Sequence, residues 1–131
     1  PPVSDLGHQT LGLVTSGGLV PRGNPDSQVS GYALNAFRYP IEGLTEISTA
    51  DWESVHGGFN NSILNSRNPG YVLPLPVLRE LEGEGQIGGI HPFFFSTVGN
   101  ATAVSDAKRM GAQIAREFKD AAVKAALLVA T

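Results

Sequence analysis

Ala121-Ala122-Val123-Lys124-Ala125-Ala126-Leu127-Leu128-Val129-Ala130-Thr131 is the stretch that decides the fold. From Ala125 it is continuously apolar, and it follows a strongly helical segment. In an α/β setting such a run reads as a strand in mid-sheet, covered on both faces. The helix before it is read over 102–119. There Val104, Ala107, Met110 or Gly111, Ile114 and Phe118 form one stripe, with Lys108, Arg109, Arg116 and Lys119 mostly outside it. Asn100 or Thr102 is placed to cap its start, and Asp106 suits the dipole. A helix leading into an apolar strand is half of a βαβ unit. The expected class is therefore α/β, in three layers, with a mostly parallel sheet and flanking helices. A strand of this kind is normally followed by a loop and more chain, so the domain is expected to be incomplete.

Working outward, Leu11-Gly12-Leu13-Val14-Thr15 is a second short apolar strand, running into the turn Ser16-Gly17-Gly18. Residues 1–10 read as a linker-like lead-in and 11–131 as a single α/β domain or a piece of one. Residues 19–39 read as a turn-rich loop, with 27–39 open between an extended segment and a short helix. Leu44-Thr45-Glu46-Ile47 reads as a short strand. Ser48 with Asp51 signals one or two helical turns over 49–55, ended by His56-Gly57-Gly58. The Asn-rich stretch 60–70 reads as a loop. Leu75, Leu78 and Leu81 predict a helix over 75–83, with Pro76 in its first turn. Pro92-Phe93-Phe94-Phe95-Ser96-Thr97-Val98 suits a strand with Pro92 at its beginning or on an edge.

Composition narrows the function classes. The chain has 131 residues, 41% of them apolar, and 9 basic against 12 acidic side chains give a net charge of −3. That balance argues against a nucleic-acid platform or an anionic membrane surface. No apolar run approaches the roughly 18–20 residues of a membrane span. With no cysteine in these residues, disulfides, thiolate metal sites and a cysteine nucleophile within them are excluded. The first residues lack the pattern of a secretory signal, which makes the cytoplasm the default expectation. The three histidines stand apart at 8, 56 and 91 with no i, i+4 pair, so no metal site is expected.

Three features can carry chemistry. Thr15-Ser16-Gly17-Gly18 follows a strand, and glycines there let amides approach an anion. It is neither G-x-G-x-x-G nor a P-loop, and a plain tight turn explains it equally. His56 is a natural acid, base or polar anchor, set against the plain reading of a helix-end residue. Gly99-Asn100 opens the best helix and can face an anionic substrate, although capping alone accounts for it too. His91 reads as structural.

Taken together, several blocks resemble a known family. They are Leu11-Gly12-Leu13-Val14-Thr15-Ser16-Gly17-Gly18-Leu19-Val20-Pro21-Arg22-Gly23-Asn24-Pro25-Asp26, His56-Gly57-Gly58-Phe59, Val72-Leu73-Pro74-Leu75-Pro76-Val77-Leu78-Arg79-Glu80-Leu81-Glu82, Gly85-Gln86-Ile87-Gly88, Gly99-Asn100 and the run Ala125 to Thr131. The family is the selenocysteine-containing subunit of protein B in the glycine, sarcosine and betaine reductases, to which a D-proline reductase subunit is related. The likeness covers nearly all of the chain from Leu11. It implies a selenocysteine (or cysteine) directly after Thr131, in a U-x-x-C type segment, and a chain cut at both ends. Lys124 departs from the acidic residue that the family tends to have there.

The resemblance also implies an oxidoreductase. A pyruvoyl group on a partner subunit takes the amino substrate as a Schiff base, the selenol attacks the α-carbon, the amine leaves, and the carbon fragment passes to selenoprotein A. Betaine has no N–H, so the imine route does not apply to it unchanged. On this reading Thr15, Ser16, Gly17, Gly18, Gly99, Asn100 and Thr131 flank the nucleophile and the substrate. His56 is the candidate polar contact or proton donor to the leaving amine. No cofactor or metal is expected on this segment itself. The expected partners are the pyruvoyl-containing subunit, selenoprotein A and a small amine substrate, with self-association through an open sheet edge. The alternatives are a non-catalytic α/β module binding an amino-acid-like anion and a docking segment for the pyruvoyl subunit.

Overall fold

The stripe on the long helix forms as its spacing predicts. In the computed structural model, which describes residues 2–131, helix α3 spans Val104–Asp120 and buries Met110, Ile114 and Phe118, with Asp106 in its first turn and Lys119 in its last. Neither expected cap closes it. Ala103 is the N-cap and offers no side-chain bond. The Thr102 hydroxyl is committed elsewhere, donating to the Val98 carbonyl at 2.7 Å and accepting the Ala33 N–H at 2.9 Å. Beyond the helix, Ala122 takes a left-handed φ of 57° and the chain enters strand β6, Ala125–Val129.

β6 pairs in parallel with β1 (Thr10–Thr15), and β1 pairs in parallel with β5 (Gly89–Ser96). Strand β3 (Phe37–Pro40) adds antiparallel to β5, giving a four-stranded, mostly parallel sheet in the order β3-β5-β1-β6. Alternation along β1 sorts the layers. Leu11 and Leu13 face a core with Phe94, Leu75 and Leu78. Val14 lies on the other face, against Phe95, Ile114 and Phe118. Gly12 shares that second face, where a Cβ would stand 2.5 Å from the Phe118 ring, so the missing side chain is what lets α3 settle onto the sheet. The third layer holds helix α1 (Asn61–Arg67), helix α2 (Leu75–Gly83) and a small antiparallel sheet of β2 (Leu19–Pro21) and β4 (Trp52–Ser54). Leu19, Val20 and Trp52 close the core from that side.

Several local expectations give way. Pro92 lies inside an internal strand. It is tolerated because the β1–β5 register slips there, from Leu11↔Ile90 to Leu13↔Phe94, so the ladder does not need its missing N–H. Residues 44–47 are irregular, with bends at 45 and 46, not a strand, and 52–54 form β4, not helix. The Ser48–Asp51 signal is real, since Ser48 Oγ donates to Asp51 Oδ2 at 2.7 Å, but it closes a turn that delivers Trp52 to a strand. The loop read over 60–70 holds α1 and a 3₁₀ turn at Pro69–Val72, and the loop over 19–39 begins with β2 and ends in β3. The lead-in includes a 3₁₀ turn at Leu6–His8 and the first residue of β1; Pro1 lies outside the described residues. Finally, β6 is an edge strand, not a central one. Its Ala126 and Leu128 are exposed, Leu128 at 69%, because α3 covers β1 and β5 and leaves that face of β6 open. An unbroken apolar run does not report how many neighbours a strand has.

Candidate functional site

Parallel pairing aligns the carboxyl ends of three strands, with Thr15 opposite both Ser96 and Val129. The chain leaving β1 there is bound to both neighbours. Ser16 N–H donates to the Val129 carbonyl at 3.0 Å, Gly18 N–H to the Thr97 carbonyl at 2.9 Å, and Gly99 N–H to the Ser16 carbonyl at 3.0 Å. Gly17 N–H donates to Oγ1 of the fully buried Thr15 at 3.0 Å. Two glycines are sterically required. A Cβ at Gly17 would stand 2.4 Å from Val72 Cβ, and Gly18 has a φ of 63°. The amides of Ser16, Gly17, Gly18 and Gly99 are thus spent inside the fold, and the loop is not the open amide cradle its glycines suggest.

What the loop offers is a hydroxyl. Ser16 Oγ accepts the Thr131 N–H at 3.0 Å and lies 3.0 Å from Thr131 Oγ1. Gly99 leaves room for the Ser16 side chain, since a Cβ there would be 3.3 Å from both Ser16 Cβ and Oγ and 3.5 Å from the Thr131 carbonyl oxygen. Thr15, Ser16, Gly17, Gly18, Gly99 and Thr131 are therefore brought together. Asn100 is not: its side chain donates to the Ser30 carbonyl at 3.5 Å and its carbonyl accepts the Tyr32 N–H at 2.8 Å, so it ties down a neighbouring loop.

His56 is buried at 5% exposure and reaches the turn indirectly. Its backbone N–H donates to Ser54 Oγ at 3.2 Å, and that hydroxyl donates to the Gly17 carbonyl at 2.7 Å. Nδ1 accepts the Gly58 N–H at 3.0 Å, which assigns the proton of the neutral ring to Nε2. Nε2 has no partner among the described residues. Burial lowers the ring's pKa below its usual 6.5, so at neutral pH it is a hydrogen-bond donor through Nε2–H, not an imidazolium acid. The ring lies 4.4 Å from that of Phe59.

Phe59 lines a cleft of about 630 Å³ together with Asn60, Ile63, Leu64, Arg67, Tyr71, Val72, Ala130 and Thr131. Sequence reading missed this cleft because Asn60, Ile63, Leu64 and Arg67 lie in the stretch taken for a loop. The signal was present as Ile63, Leu64 and Arg67 at helical spacing behind Asn60, whose Oδ1 accepts the Ile63 N–H at 3.4 Å. The helix is fixed in place by Asn65, whose side chain accepts the Ser54 N–H at 2.7 Å and donates to the Ser54 carbonyl at 2.9 Å. On the α3 side, a smaller cleft of about 220 Å³ runs from Ser16 and Gly99 to Ala107 and Gly111. Among the described residues there is no cluster of three or more metal-ligating side chains, and no helix is long and apolar enough to cross a membrane.

Comparison with known proteins follows the same line. A model of the glycine/sarcosine/betaine reductase selenoprotein B family matches residues 1–131. The chain is 41% identical over 131 residues to glycine reductase complex component B subunit gamma of Carboxydothermus hydrogenoformans, covering all of this chain and 30% of that protein. It is 37% identical over 131 residues to sarcosine reductase complex component B subunit beta of Peptoclostridium acidaminophilum, with the same coverage of both chains. Betaine reductase complex component B subunit beta of that organism is 35% identical over 130 residues, 99% of this chain and 30% of its own. The chain thus spans about a third of the length of these relatives. No solved structure matches it.

Proposed function

The chain belongs to the glycine/sarcosine/betaine reductase selenoprotein B family, and from that premise we propose that it is part of the subunit that bears the nucleophile in a reductase cleaving the C–N bond of a small amine substrate. The observation that carries the reading is the fastening of Thr131 to Ser16 at the aligned strand ends, beside a cleft. A selenol or thiol following Thr131 would supply the nucleophile: a bond to the α-carbon forms as the C–N bond breaks, and the bonding pair leaves with the amine, which takes up a proton. A selenol is ionised at neutral pH, unlike a thiol with a pKa near 8.5. A partner's pyruvoyl group would prepare amino substrates, and selenoprotein A would receive the carbon fragment.

The chain's own residues do the positioning. Ser16 fixes the direction in which the backbone leaves β6. Thr15, Gly17, Gly18 and Gly99 hold Ser16 in place, and Gly99 keeps a side chain away from Ser16 Oγ and the Thr131 carbonyl. His56, neutral and buried against Phe59, steadies that wall and carries a proton on Nε2. Asn100 holds the 30–32 loop beside the start of α3.

The test uses the full-length protein assembled with its partner subunits. Iodoacetamide at slightly acidic pH should label one residue, directly after Thr131, and abolish amine release. Ser16→Ala should keep the fold and lower kcat, by up to on the order of 10²-fold for a misplacement near 1 Å. Labelling at another position, or Ser16→Ala and His56→Gln enzymes with unchanged turnover, would overturn the assignment.

A further inference from the structure

We infer that the Arg67 guanidinium binds the carboxylate of the substrate in the cleft that Thr131 also lines; this rests on the reading above and names the anchoring residue of its site. Among the described residues Arg67 is the one charged side chain lining that cleft, and it has no ion-pair partner there; it also borders a neighbouring hollow that Glu46 lines. The other arginines are spent or misplaced. Arg22, Arg38, Arg79 and Arg109 each lie within 4 Å of a carboxylate, and Arg116 sits on the exposed face of α3. Phe59, Ile63, Leu64 and Val72 give the cleft its apolar wall, Asn60, Tyr71 and Thr131 add uncharged polar groups, and Arg67 reaches solvent at its rim, open to an incoming anion. A guanidinium meets a carboxylate through two parallel N–H donors, which fixes orientation as well as position.

The chemistry of the named relatives points the same way. Glycine, sarcosine and betaine have the carboxylate in common and differ only in N-methylation. A site that grips the carboxylate and surrounds the rest with apolar and aromatic side chains accepts all three heads. Seated on Arg67, such a molecule occupies the same cleft that Ala130 and Thr131 line.

Arg67→Gln and Arg67→Lys in the full-length protein, within its assembled complex, test this. Arg67→Gln should raise KM for the substrate by about 10-fold with kcat little changed, and Arg67→Lys should recover part of the loss. The wild-type preference for glycine, sarcosine or betaine over the corresponding amide should disappear in Arg67→Gln, a change that a merely structural role would not produce. Modification of arginines by phenylglyoxal supplies a readout independent of turnover: betaine, sarcosine or glycine should protect Arg67 and leave Arg116 unprotected. Wild-type KM and carboxylate preference in Arg67→Gln, or no protection of Arg67 by any of the three, would overturn the inference. Protection of Arg67 in a complex that releases no amine would uphold it and overturn the reductase reading instead.

Discussion

Ser16 shows how much a single hydroxyl organises here, because it joins the ends of two strands through one oxygen. Its position was legible in the sequence: a short apolar strand running into Ser-Gly-Gly predicts a tight turn at a strand end, and the resemblance placed Thr131 beside it. Arg67 was not legible, because the asparagines around it are turn formers by propensity and capping is decided by geometry. The histidines lead to a prediction at this scale. Burial lowers the pKa of His56, and burial together with the nearby Arg38 lowers that of His91. A folded-state pKa below the unfolded value means that the unfolded chain binds protons first. The stability they contribute is complete above the unfolded value of 6.5 and is lost as pH falls through it toward the folded value. His8 acts in the opposite sense, raised by its hydrogen bond to Asp5, but it is fully exposed and screened. The urea midpoint should therefore fall between about pH 7.5 and pH 5.5, and the fall should be shallower in His91→Asn.

At the scale of elements, strong periodicity was reliable and weak propensity was not. The limits of α2 and α3 follow from leucine spacing and from an amphipathic stripe, both of which buried faces enforce. The short pieces β2, β4 and α1 exist because of one another. Three residues of β2 pair with three of β4, and Asn65 extends that pairing into α1 by taking both backbone groups of Ser54. No local pattern announces such a mutual arrangement. Asn65→Ala should leave the N–H and carbonyl of buried Ser54 without their partners and destabilise the fold by about 1–3 kcal/mol, measured by denaturant unfolding. Since α1 carries Arg67, the same substitution should also weaken substrate binding.

For the whole molecule, the class was legible and the position of the last strand was not. Apolar residues on both sides of β6 suggested burial, yet its outer edge is unpaired and Leu128 faces solvent on the side where α3 ends its coverage. An open edge with an apolar face is a template for further pairing. The 131-residue chain studied alone should self-associate in a concentration-dependent way in sedimentation velocity, and Leu128→Lys should reduce that association without changing the far-UV circular dichroism. A wild-type chain that stays monomeric at high concentration would contradict this.

The bare backbone at Gly12 has a consequence for how this sequence is free to drift. The spacing between α3 and the sheet is set there by the thickness of one aromatic ring. Any side chain at position 12 acts as a shim that tilts the helix away from its seat, unless position 118 shrinks at the same time. The two positions are therefore expected to vary only as a pair.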